Sequence, residues 1–263
     1  MKVVILAGGL GTRISEETHL RPKPMIEICG LPILCHLMRI YSSFGFTDFI
    51  VCCGYKGYVI KEFFKNFHLH SSDVTVDLGR NTIDIHEARS EPWRVTLIDT
   101  GESTATAGRL KRVAKYLDGD SYFLFTYGDG LANVDLNALI DTHFKFGRLA
   151  TLTAVQPPGR FGALKLDNGR ISSFSEKSDG MDAWINGGFF VVSTQVLEQI
   201  SGDESSWEVE VLPKLAEANE LSAYLHTGFW QPMDTLRDKQ LLERLCQKGK
   251  PPWLDFHGHV PSV

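Results

Sequence analysis

The feature that most constrains this 263-residue chain stands at its start. The apolar run Val3-Val4-Ile5-Leu6-Ala7 passes straight into Gly8-Gly9-Leu10-Gly11-Thr12-Arg13. A β-branched apolar run reads as a strand, and glycines at its end let backbone amides approach phosphate oxygens with no side chain between. The loop lacks the Lys-Ser/Thr ending of a P-loop and is not spaced as a G-x-G-x-x-G dinucleotide loop. Two cations strengthen the anion reading. Arg13 ends the loop, and Lys23 follows in Arg21-Pro22-Lys23-Pro24-Met25, where flanking prolines stiffen the segment. The glycines alone would fit an ordinary tight turn equally well.

Short apolar runs then alternate with helical patterns, which predicts an α/β fold: a Rossmann-like mixed, mainly parallel sheet flanked by helices, with inserted β-hairpins. Strands are expected at Val3 to Ala7, Phe49 to Cys53, Val95 to Asp99, Tyr122 to Tyr127, Ala150 to Val155 and Gly188 to Val192. Helical spacing marks Pro32 to Phe44, Tyr58 to Phe67, Leu136 to Phe146 and Thr235 to Cys246. Asp73 to Leu78 and Thr82 to His86 alternate around Gly79-Arg80-Asn81, an inserted hairpin within about 70–92, and Asn168-Gly169 signals a second hairpin that delivers Glu176-Lys177. One catalytic domain over 1–263 is the simplest organisation.

A net charge of -5 argues against a large basic surface for nucleic acid. No apolar run suits a signal peptide or a membrane span, so a cytoplasmic protein is expected. The five cysteines show no Cys-x-x-Cys spacing and read as buried small apolar residues. The nine histidines, His68 and His70 among them, form no metal-ligand spacing. With no G-x-S-x-G elbow, acyl transfer has no support.

Polyphosphate chemistry calls for Mg²⁺, which takes one or two carboxylates plus phosphates and water. Asp129 follows the run Tyr122 to Thr126 at a strand's carboxyl end, where ligands gather in open α/β sheets; a plain turn aspartate is the alternative. Asp234 precedes a helical pattern and by itself reads better as an N-cap. Glu176-Lys177 by itself is a solvated pair, Asn186-Gly187-Gly188 a turn, and Trp230 either a stacking platform or core.

Leu6 to Arg13, Ser15 to Met25, Gly54 to Gly57, Asp99 to Gly101, Gly108 to Arg112 and Thr126 to Gly130 together resemble the sugar-phosphate nucleotidyltransferases. The likeness covers nearly the whole chain and points to the branch that joins CTP to glucose 1-phosphate. Ala105 and Ala107 depart from it, since that branch usually carries Met and Gly there. The resemblance implies that Leu6, Ala7, Gly8, Gly9, Leu10, Gly11, Thr12, Arg13, Lys23, Thr104, Arg109 and Gly128 surround the nucleotide. It implies Glu176, Lys177, Asn186 and Gly187 at the sugar phosphate, and Asp129 with Asp234 on Mg²⁺. Arg13, Lys23 and Lys177 would then be catalytic, stabilising the leaving pyrophosphate, the α-phosphate and the attacking phosphate during in-line displacement. A homo-oligomer and a product destined for dideoxysugars and O-antigen are also implied. Two alternatives stay open: the same reaction with dTTP or UTP, and a non-catalytic nucleotide-sugar-binding regulatory module.

Overall fold

The structure is a computed structural model that describes residues 1–86, 91–157, 163–167, 170–175 and 184–256. Its centre is a seven-stranded sheet. In chain order the strands are β1 (Val3–Ala7), β2 (Asp48–Cys53), β3 (Arg94–Asp99), β4 (Tyr122–Tyr127), β5 (Ala150–Val155), β6 (Ile185–Ser193) and β7 (Leu221–His226), and they lie side by side as β7-β5-β6-β4-β1-β2-β3. Every neighbouring pair is parallel except those of β6, which runs antiparallel to β4 and β5. This is the mixed, mainly parallel sheet that the sequence predicts. The edge strand β7 was not anticipated.

Side chains alternate across the sheet. Val3, Ile5 and Ala7 of β1 enter one core and Val4 and Leu6 the other. The first core is covered by α1 (Ile33–Ser42), α2 (Gly57–Lys65), α4 (Leu136–Phe146) and α5 (Leu236–Gln247), the second by α3 (Thr106–Val113) and the segment Trp207 to Glu217. The cover of the second face was missed in the sequence, because Thr106–Val113 is short and basic and Trp207–Val211 is a π-helical turn.

Strand order reverses at β1, which has β2 on one side and β4 on the other. Such a switch point opens a crevice at the carboxyl ends of the strands. The antiparallel β6 brings its amino end to the same edge. Leu152 faces Phe190 while Ala154 faces Asn186, so β6 bulges, with positive φ at Gly188 (78°) and Phe189 (48°). Bulges commonly re-aim side chains beside functional sites.

The first hairpin pairs Asp73–Asp77 with Thr82–His86 and stands clear of the core; Val76, Leu78, Ile83 and Ile85 are exposed. The second pairs Ala163–Asp167 with Arg170–Ser175. Cysteines correct one expectation. Cys35, Cys52 and Cys53 are buried and free, but Cys29 and Cys246 are disulfide-bonded, with Cα atoms 6.5 Å apart. A contact across 217 residues of sequence has no local signature. Among the described residues no helix is long and apolar enough to cross a membrane.

Candidate active site

The glycine loop leaves β1 and is tied down from behind. The Gly8 carbonyl accepts from Arg109 Nη2 at 3.1 Å and from the Tyr55 amide at 3.1 Å. Arg109 also donates to Thr100 Oγ1 (2.8 Å) and to the carbonyls of Gly101 (2.7 Å) and Glu102 (3.1 Å), so α3 clamps two loops together through one guanidinium. Burial pulls the Arg109 pKa below the usual arginine value. The clamp explains Gly8, where a Cβ would stand 2.1 Å from Arg109 Nη1. Gly11 is required for another reason: its φ of 63° is left-handed, and it starts the short turn Thr12–Ile14 that carries Arg13.

In front of the loop lies a charged cluster. Lys23 Nζ donates to Asp129 Oδ2 at 2.6 Å and to Asp234 Oδ1 at 2.7 Å, and Arg13 Nη1 donates to Asp234 Oδ2 at 2.7 Å. Burial alone would lower the Lys23 pKa, but the two carboxylates outweigh it and raise the value, so the ammonium stays charged. Asp129 arrives from the end of β4. Asp234 is not the helix cap: Thr235 is, its side chain accepting from the Asp238 amide while the Asp238 carboxylate returns the bond to the Thr235 amide. That capping box leaves the Asp234 carboxylate free for the cluster.

A second cluster is built on hydrogen bonds. Asn186 Nδ2 donates to the Tyr127 hydroxyl (3.2 Å), which donates to Glu208 Oε1 (2.8 Å); Glu208 Oε2 accepts from Thr106 Oγ1 (2.7 Å) and Ser206 Oγ (3.1 Å). Burial first, then Glu208, pushes the Tyr127 pKa far above tyrosine's usual value, which keeps its proton on the oxygen. Trp230 Nε1 donates to the Gly187 carbonyl at 2.8 Å. Both clusters open into one cleft of about 650 Å³, within the usual range for small-molecule sites.

Over residues 2–255 the sequence matches the family described as nucleotidyl transferase. The chain belongs to that family. It is 60% identical over 253 residues to the glucose-1-phosphate cytidylyltransferase of Salmonella typhi, covering 96% of this chain and 98% of that one. It is 41% identical over 254 residues to a probable glucose-1-phosphate cytidylyltransferase of Bacillus subtilis, covering 96% and 99%. In structure it resembles HddC from Yersinia pseudotuberculosis complexed with GMP-PN, with a TM-score of 0.67, 25% identity, and coverage of 92% and 98%.

In this nucleotidyltransferase the cleft brings together Leu6, Ala7, Gly8, Gly9, Gly11, Thr12, Arg13, Lys23, Thr104, Arg109, Gly128, Asp129, Asn186, Gly187 and Asp234. Leu10 is 51% exposed and is not part of the wall. Glu176 and Lys177 lie outside the described residues. Of the two alanines, Ala105 lines the cleft and Ala107 is buried in the second core. Tyr127, Thr106 and Glu208 also line it with no role expected for them from the sequence, and so does Trp230, for which the sequence leaves a stacking platform or core open. The signal for Tyr127 is its place beside Gly128-Asp129. Glu208 had no signal, since its environment comes from three separate segments.

Proposed function

We propose that this nucleotidyltransferase transfers the cytidylyl group of CTP to α-D-glucose 1-phosphate, giving CDP-glucose and pyrophosphate. What carries the proposal is the near full-length likeness to proteins named for that activity, on a cleft whose charges suit two anionic substrates. The sugar phosphate is already ionised, so the protein's task is alignment and charge stabilisation rather than proton abstraction. Arg13 and Lys23 are the cleft cations available to the triphosphate once their present partners release them, and Lys177 is assigned to the attacking phosphate by resemblance. Asn186, fixed through Tyr127, faces the sugar.

Asp129 and Asp234 are the residues to hold Mg²⁺. Their oxygens already converge on one cation, the Lys23 ammonium, and two carboxylates are what magnesium takes from protein when phosphates supply the rest. Bound there, the ion would neutralise charge on the phosphate oxygens. Homo-oligomerisation is part of the same proposal, supported by the apolar residues exposed on the Asp73–His86 hairpin, and light scattering of the purified protein tests it.

Pyrophosphate release measured with CTP, UTP, dTTP and ATP against glucose 1-phosphate, with and without Mg²⁺, tests the reaction. CTP with Mg²⁺ should give the highest kcat/KM. A preference for dTTP or UTP would reassign the base and keep the chemistry; no release with any nucleotide would leave a binding module.

A further inference from the structure

The carboxylates assigned to the divalent cation already have one. Lys23 Nζ sits between Asp129 and Asp234 at 2.6 and 2.7 Å, while Arg13 holds the other oxygen of Asp234 at 2.7 Å. The four charges cancel. Lys23 is only 8% exposed, so little solvent screens its attraction to the carboxylates. A metal ion bound between Asp129 Oδ2 and Asp234 Oδ1 would compete with the ammonium for those oxygens and would stand against its charge.

A metal ion entering alone would therefore have to displace Lys23 or bind against its positive charge. It would leave two further positive charges, the ammonium and the guanidinium, crowded beside it in a partly buried site. A triphosphate removes that obstacle, because it brings the missing negative charge and offers the displaced Lys23 and Arg13 new acceptors. Metal and nucleotide are then coupled ligands, each improving the other's affinity by the same factor.

We infer that Lys23 is the resident cation of the free enzyme, held between Asp129 and Asp234 until a metal-bound nucleotide enters, when it passes from the two aspartates to the phosphates. The inference rests on Asp129 and Asp234 being the metal ligands. It assigns Lys23 a second role: it keeps bare metal out of the empty site, lowering apparent affinity by the fraction of molecules in which the carboxylates are free.

Mn²⁺ binding to the nucleotide-free protein, followed by electron paramagnetic resonance, tests this. Lys23→Met should bind Mn²⁺ about tenfold or more tightly than the native chain, as expected when the competent form is a minor population. Lys23→Arg, which keeps the charge, should gain nothing. Equal Mn²⁺ affinity in Lys23→Met and the native protein would overturn the inference. A measurement on the native protein guards against a variant that does not fold: Mg²⁺ alone should leave the unfolding temperature unchanged, whereas Mg²⁺ with CTP should raise it. A full shift with Mg²⁺ alone also overturns the inference. Failure of the ligand assignment looks different, because Asp129→Asn and Asp234→Asn would then leave Mn²⁺ binding in the presence of CTP untouched.

Discussion

The two clusters that share the cleft are held in opposite ways. Lys23, Arg13, Asp129 and Asp234 are joined by ion pairs, and under the proposed function the substrates' own charges would compete with these pairs, so the cluster would be taken apart and rebuilt as ligands enter. Asn186, Tyr127, Thr106 and Ser206 instead point in sequence at one carboxylate, Glu208. With Tyr127 protonated, each bond in that chain has a single direction, and nothing in it needs to break on binding. Under the proposed function the first cluster would serve turnover and the second recognition.

Mutation can break this contrast at either end. Asp129→Ala and Asp234→Ala should each lower kcat by about a hundred- to a thousandfold at limiting Mg²⁺, the scale of losing one preorganised charge contact. Full turnover in steady-state assays would remove them from the metal site. Arg13→Ala should cost roughly a hundredfold in kcat. Its guanidinium is 74% exposed, so thermal unfolding should barely move, and near-native turnover would show that Arg13 does no more than pair with Asp234.

At the hydrogen-bonded cluster the effects should be smaller and fall on binding. Glu208→Gln removes the acceptor-only carboxylate and lets the Tyr127 bond reverse. KM for glucose 1-phosphate should rise about fivefold, the worth of roughly 1 kcal/mol, with KM for CTP unchanged. Equal rises in both would make Glu208 a general support of the cleft. Trp230→Phe deletes the bond to Gly187 together with part of the ring that packs on the first core, and should raise the same KM about two- to threefold, a fraction of one hydrogen bond. A larger fall in kcat than in affinity would show that the two clusters are not separable.

Much of this could be read before any fold was known. Tyr122–Tyr127, Ala150–Val155 and Leu136–Phe146 match their predicted bounds, because a buried strand or an amphipathic helix writes its periodicity into consecutive residues. The glycine loop, Arg13 and Lys23 were legible for the same reason. Asp234 was not: local sequence favoured a cap, and only the Thr235–Asp238 box showed that the cap is its neighbour. Arg109 shows the same limit. Expected beside the nucleotide, it lines the cleft with both terminal nitrogens already bonded to the backbone and side chains of other loops.

The sequence by itself determined the α/β class, the strands around the switch point and the glycine loop with its two cations, since each depends on residues close together in the chain. The tertiary structure alone decided that Lys23 lies between aspartates 106 and 211 residues away, that Glu208 anchors Tyr127, and that Cys29 meets Cys246. Such contacts depend on how helices and loops stack on a finished sheet, and charge or hydrogen-bond partners chosen across that distance leave no pattern along the chain.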